Sequence, residues 1–136
     1  MSQENIDLFM QAARAIDTRE VSHDLAERLL APGFRMENLS TALTERTYHG
    51  AEGVREWIRD TFEVVDENAR YEVEEILADD HAFVIARVRI VGQGARSGVP
   101  VTLRWVSVSW FRDGKMTRTG GFLRRGEALK AAGLER

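Results

Sequence analysis

Two arginines interrupt an otherwise apolar run, Phe83-Val84-Ile85-Ala86-Arg87-Val88-Arg89-Ile90-Val91, and are the first groups that could do chemistry. In an extended chain both point to one side. Aimed into a pocket they would grip a carboxylate or an enolate. On the outer side they would face acids across the sheet, which is where surface charge usually lies. If Asp79-Asp80 is a two-residue turn, Glu72 falls opposite Arg87. A second row, Leu103, Trp105, Ser107, Ser109 and Phe111, shares one side of another strand, with Thr102, Arg104, Val106, Val108 and Trp110 on the other. Ser107 facing inward would offer one hydroxyl, with a satisfied core serine as the alternative. His49, beside Tyr48, is the one neutral-pH base near the start of a helix that carries Trp57. His23, His49 and His81 show no ligand spacing and the chain has no cysteine, so no metal and no cofactor is expected.

Positioning these groups requires helices first and strands afterwards. Ile6, Phe9, Met10, Ala13 and Ile16 repeat at helical spacing over 3 to 17, with Ser2 as a possible cap. Ser22 caps a short second helix with Leu25, Leu29 and Leu30 inward and Pro32-Gly33 as its stop. After the stretch from Phe34 to Tyr48, a third helix opens near Gly50 with Val54, Trp57, Ile58, Thr61, Phe62 and Val65 on one face. From Arg70 the period falls to 2, giving strands at Arg70–Ala78, Ala82–Val91, Val99–Phe111 and Met116–Leu123. Their short connections make an antiparallel meander. A last helical turn spans Glu127 to Ala132, ending at Gly133. Gly120-Gly121 inside a strand calls for a bulge or a close approach. Opposite Ser107, an Asp113-Gly114 type I′ turn would place Gly120; a three-residue turn would place Thr119.

The 136 residues suit one domain, 1–136, of class α+β with three N-terminal helices packed on a mainly antiparallel sheet. A net charge of -3 argues against a nucleic-acid partner. No apolar stretch approaches the length of a membrane span, roughly 20 residues. The polar start MSQENID does not look like a signal peptide, so a cytoplasmic location is expected.

The order of elements, together with YHGAEGVREWIRD (48 to 60) and SGVPVTLRWVSVSWFRDGKMTRTGGFLRRGEALKAAGL (97 to 134), resembles the SnoaL-like superfamily, also called nuclear-transport-factor-2-like or ketosteroid-isomerase-like. The resemblance implies a strongly curved sheet forming a cone with an internal, mostly apolar pocket, often in a homodimer through the outer sheet face. Here Val106, Val108 and Trp110 would supply that contact. Its members include ketosteroid isomerases, limonene-type epoxide hydrolases, polyketide cyclases, dehydratases and non-catalytic binding or transport proteins, so the site must decide the activity.

Residue by residue, the family's acids are replaced. Ser107 stands where the resemblance places an oxyanion Asp, and Glu37 and Glu45 are the only carboxylates where the isomerase base would lie. Met36-Glu37-Asn38 keeps only the Asn of the hydrolase Tyr-x-Asn, and Arg87-Val88-Arg89 keeps only the Arg of Arg-x-Asp. The last-strand Asp of the cyclases meets Thr119-Gly120-Gly121-Phe122, and the common Tyr-x-Asp ending reads Phe122-Leu123-Arg124. The expectation is a small apolar-molecule-binding protein with its pocket formed by Met36, Asn38, Tyr48, Trp57, Phe62, Phe83, Ile85, Arg87, Leu103, Trp105, Ser107 and Gly121. A divergent isomerase, cyclase or dehydratase using Arg87, Asn38, His49 or Ser107 is one alternative. A dimeric protein-interaction module is the other.

Overall fold

The spacing at the start of the chain closes into α1 (Gln3–Thr18), with Phe9, Ala13 and Ile16 on its buried stripe. The computed structural model of the chain describes residues 3–37 and 46–133. Ser22 caps α2 (His23–Leu29), its Oγ accepting from Leu25 N at 3.1 Å. The helix stops before Leu30 rather than at Pro32-Gly33. The residue before a proline avoids helical geometry, so Ala31 is already extended. Leu30 therefore opens a strand, β1 (Leu30–Glu37), which takes over the end and stop expected of the second helix and runs into the stretch from Phe34 to which no element was assigned. Short β2 (Thr47–His49) pairs with β1 and leads into α3 (Gly50–Phe62).

Four longer strands follow: β3 (Arg70–Asp79), β4 (Phe83–Gln93), β5 (Pro100–Arg112) and β6 (Lys115–Phe122), then α4 (Arg125–Ala131). The sheet order is β2-β1-β6-β5-β4-β3. The expected meander holds from β3 to β6, and β1 adds itself parallel to β6. The class is α+β, with the sheet strongly curved around α1 and α3.

Bulges supply that curvature, since an extra residue in one strand bends and twists it. Two interrupt the pairing of β3 with β4, between Val73 and Glu75 and between Ile76 and Ala78. A third shifts β6 against β5. Asp113 and Gly114 both have positive φ, 52° and 76°. A type I′ turn requires this of its two central residues. The bulge just beyond this turn then moves the register by one, so Ser107 faces Gly121 and Ser109 faces Thr119. Neither of the two registers expected for Ser107 is the one adopted.

Two apolar layers result. Inside the curve lie Phe9, Phe34, Trp57, Val84, Val88, Ile90 and Trp105. On the convex side Phe83, Ile85, Val106, Val108 and Phe122 pack under Ala128 of α4. The sheet is thus covered on both faces at that end, and its convex face is open only farther along.

Candidate functional site

A cavity of about 80 Å³ lies between the sheet and the first three helices. α1 contributes Phe9, Ala13 and Ile16, α2 contributes Leu25, Ala26 and Leu29, and α3 contributes Val54 and Trp57. Across from them stand Phe34 and Met36 of β1, Tyr71 of β3, Trp105, Ser107 and Ser109 of β5, and Met116, Thr119 and Gly121 of β6. On the measure by which one buried water takes about 10–15 Å³, this holds several water-sized positions.

Three aromatic rings form one end of the wall. Trp57 meets Trp105 edge-on with ring centres 6.2 Å apart, and Tyr71 lies tilted against Trp105 at 6.0 Å. Such edge and tilted contacts are favoured by the ring quadrupoles. Burial pushes the Tyr71 phenol well above its usual range, so it stays protonated and is no ready base.

Tyr71 is anchored from behind. Asp17, just before the end of α1, accepts from Tyr71 N at 2.9 Å and from Arg70 Nε and Nη2, each at 2.9 Å. The Arg70 hydrogen bonds, helped by Tyr71 N and opposed by partial burial, hold the Asp17 carboxyl below the usual carboxylate range. Because the folded pKa is depressed, the stabilisation is present above about pH 4, the unfolded value, and is lost as pH falls through the folded one. Asp17→Asn is therefore expected to cost about 1 kcal/mol near neutral pH. In urea unfolding the gap between variant and parent should close as pH falls below about 4.

The polar part of the wall is a row of hydroxyls. Thr119 Oγ1 donates its one proton to Val108 O at 3.1 Å. Ser109 Oγ, 3.0 Å from Thr119 Oγ1, must then be the donor of that pair. Ser107 differs: the residue is 6% exposed, and its Oγ has no hydrogen-bond partner among the described residues. A buried hydroxyl left so costs about 1–3 kcal/mol. Glu37, the wall's only carboxylate among the described residues, is engaged by Arg118 and Arg35.

Of the residues expected in the pocket, the structure brings together Met36, Trp57, Trp105, Ser107 and Gly121. The others lie elsewhere. Phe83, Ile85 and Arg87 face the convex side, because the inward set of β4 is Val84, Ala86, Val88 and Ile90. Arg87 pairs with Glu75 at 3.1 Å rather than with Glu72, since the loop after β3 and its two bulges shift the register. Arg89 pairs with Glu72 at 2.7 Å and shares Glu74 with Arg104. These arginines are committed to acids outside the cavity, which removes their use on a bound anion there. Tyr48 is buried, but its hydroxyl goes to Asp60 at 2.8 Å; Phe62 lies under the Arg19 guanidinium at 3.8 Å; Leu103 packs on the core. His49 is exposed at the start of α3, away from the cavity. Asn38 and Glu45 lie outside the described residues.

The residues expected at the outer contact are placed as follows. Val106 and Val108 are 4% and 0% exposed within this single chain, covered with the help of α4, and Trp110 carries Arg118 over its ring at 4.3 Å. Among the described residues no group of three or more His, Asp or Glu could hold a metal ion, and no helix is long and apolar enough to cross a membrane.

Residues 9–119 match the family model of the SnoaL-like domain. The chain belongs to the SnoaL-like family. Solved structures agree on the fold. An NTF2-like protein of unknown function from Burkholderia pseudomallei K96243 is 22% identical, with TM-score 0.70 over 96% of this chain and 97% of that one. A protein provisionally assigned as a SnoaL-like polyketide cyclase, from Jannaschia sp. CCS1, is 17% identical with TM-score 0.70 over 90% and 88%. TerC, co-crystallised with polyporic acid, is 18% identical with TM-score 0.70 over 97% and 98%. No curated protein matches the chain.

Sequence reasoning missed the share of α1 and α2 in this SnoaL-like cavity. The stripe Phe9, Ala13, Ile16 was visible as a buried face, and its small central Ala13 is the signal that the helix leaves room there. Tyr71 was visible only as a strand residue; its inward side depends on the bulges.

Proposed function

We propose that this SnoaL-like protein binds one small, neutral, largely apolar molecule in the cavity and carries out no acid–base chemistry there. One observation carries the reading: the aromatic and aliphatic wall has Glu37 as its sole carboxylate among the described residues, and Glu37 is held by arginines. Transferring a molecule from water into such a wall is favourable by about 25 cal/mol per Å² of apolar surface. A general base, by contrast, must reach the proton it takes. Tyr71 stays protonated, and His49 is exposed away from the cavity.

The test is a thermal shift with toluene as probe, on the wild type and on Ser107→Trp. Toluene at about ten times its Kd should add roughly 1.4 kcal/mol to wild-type stability, a rise of several degrees in Tm. Ser107→Trp fills the cavity and should show no rise; Ala13→Leu, a smaller intrusion from α1, should show a reduced one. An equal rise in all three proteins would place the site elsewhere and end the proposal.

A further inference from the structure

We infer that helix α2 is the gate of the cavity: it swings from a pivot at Val21 to admit the small apolar guest, and Lys115 and Arg28 are the straps that hold it shut. The inference rests on the binding reading above and adds the route by which the guest enters and leaves.

One layer of side chains separates inside from outside at α2. Ala26 and Leu30 border the cavity, and the same two residues border an open groove of about 700 Å³ between α2, the start of β1, the start of α3 and Lys115. Beside α2 there is thus open space rather than packing, into which the helix can move. The other walls are held more firmly. The strands are locked by their ladders. α1 is tied to the sheet by Asp17 on Arg70 and Tyr71, and its Asn5 donates to Asp80 O at 3.0 Å. α3 runs for 13 residues with Trp57, Ile58 and Phe62 buried.

α2 has 7 residues, of which only Ala26 and Leu29 are buried. A helix so short does not hold itself in water, so its position depends on what grips it. Lys115 Nζ, at the start of β6, donates to Glu27 O at 2.7 Å, one of the last-turn carbonyls that a helix leaves over. Arg28 Nη1 donates to Gln11 Oε1 on α1. Each strap is one exposed hydrogen bond and is cheap to break. The chain on either side is shaped for hinging. Val21 O is pinned by Arg55 Nε and Nη2 at 3.1 and 2.8 Å, which fixes the pivot. Beyond the helix Gly33 has φ of 80°, and the pairing of β1 with β6 lapses between Leu30 and Arg35. Only the pair Leu30–Met116 lies on the α2 side of that lapse, so a bend at Pro32-Gly33 spares the rest of the ladder.

The experiment follows nitrobenzene, a neutral quencher of tryptophan emission, as it reaches Trp57 and Trp105 in the cavity wall. Stopped-flow mixing gives its association and dissociation rates, and equilibrium quenching gives Kd. The straps are made in the shut protein whether the cavity is full or empty, so cutting one changes how often α2 opens and not how tightly a guest is held. Lys115→Met keeps the stem and loses the ammonium; it should raise both rates together, each about fivefold, with Kd unchanged. Ile85→Val, a comparable loss of stability in the convex layer, should leave both rates alone. The chain has no cysteine. Gln11→Cys with Arg28→Cys, joined by ethanediyl bismethanethiosulfonate, therefore locks α2 to α1 selectively. Both rates should fall about tenfold or more and recover when dithiothreitol cuts the linker. Equal rates with the linker intact and cut would overturn the gate while the cavity reading stands. So would an Ile85→Val protein that exchanges as fast as Lys115→Met, or a Lys115→Met protein whose Kd weakens as its rates rise. If neither nitrobenzene nor toluene binds the folded wild type, the cavity reading fails and the gate falls with it.

Discussion

Val108→Asp should leave no folded protein, although Val108 lies on the convex face of the sheet. Its side chain is 0% exposed, packed among Phe83, Ile85, Val106 and Phe122 with Ala128 of α4 above. A carboxylate placed there loses its water and meets no donor, a penalty of several kcal/mol even after relaxation. Total stability for a domain of this size is only about 5–15 kcal/mol. Circular dichroism of the purified variant should show a disordered chain. Val99, by contrast, is 58% exposed. Val99→Asp should therefore change stability by no more than about 0.5 kcal/mol. A folded, monomeric Val108→Asp would instead mean that α4 leaves this face and that the valine serves a contact between copies.

Trp105→Ala should be the most damaging truncation inside the curve. Trp105 is the ring shared by both aromatic contacts, with Trp57 and with Tyr71, so its loss strips one face from each. Trp-to-Ala changes in cores cost about 3–5 kcal/mol. For a domain of this length that is a fall in Tm of roughly 10–15 °C. Trp105→Phe keeps a ring in the gap and should recover more than half of the loss. Equal melting of the two variants would show that ring packing does not hold this wall.

Much of the architecture follows from periodicity. The spacing of Phe9, Ala13 and Ile16, and of Val54, Trp57 and Phe62, can be satisfied only by helices with one buried face. Alternation from Arg70 onward can be satisfied only by strands. Alternation also put Phe83, Ile85 and Arg87 on one side together, and they are together. What it could not say was which side is inward. The usual clue, apolar on one face and polar on the other, fails along β4 because α4 makes its convex end apolar as well. The ring-bearing Phe83 and branched Ile85 then look as much like a pocket wall as Val84 and Val88 do.

Register was the second thing hidden. Each bulge adds one residue, and nothing in the local composition of Val73-Glu74-Glu75 or Met116-Thr117-Arg118 marks one. Without them Arg87 would meet the wrong acid and Ser107 the wrong glycine. β1 was missed for a different reason: Leu-Ala-Pro-Gly-Phe-Arg-Met-Glu does not alternate at its start, and its partner β6 lies far along the chain. Of the site, the inward row Trp105, Ser107 and Gly121 was legible, whereas the contribution of α1 and α2 was not.

The parallel pairing of β1 with β6 has a consequence for how the protein is made. Leu30 meets Met116, most of the chain's length away. A ribosome adding about 5–20 residues per second needs roughly 4–17 s to cover that span. For all that time the nascent β1 has a bare edge toward its missing neighbour, and the greasy stripe of α1 has no finished wall to rest on. Closure of the hollow is thus a late event of synthesis, and holdase chaperones that recognise exposed apolar segments have their window on this chain before β6 emerges.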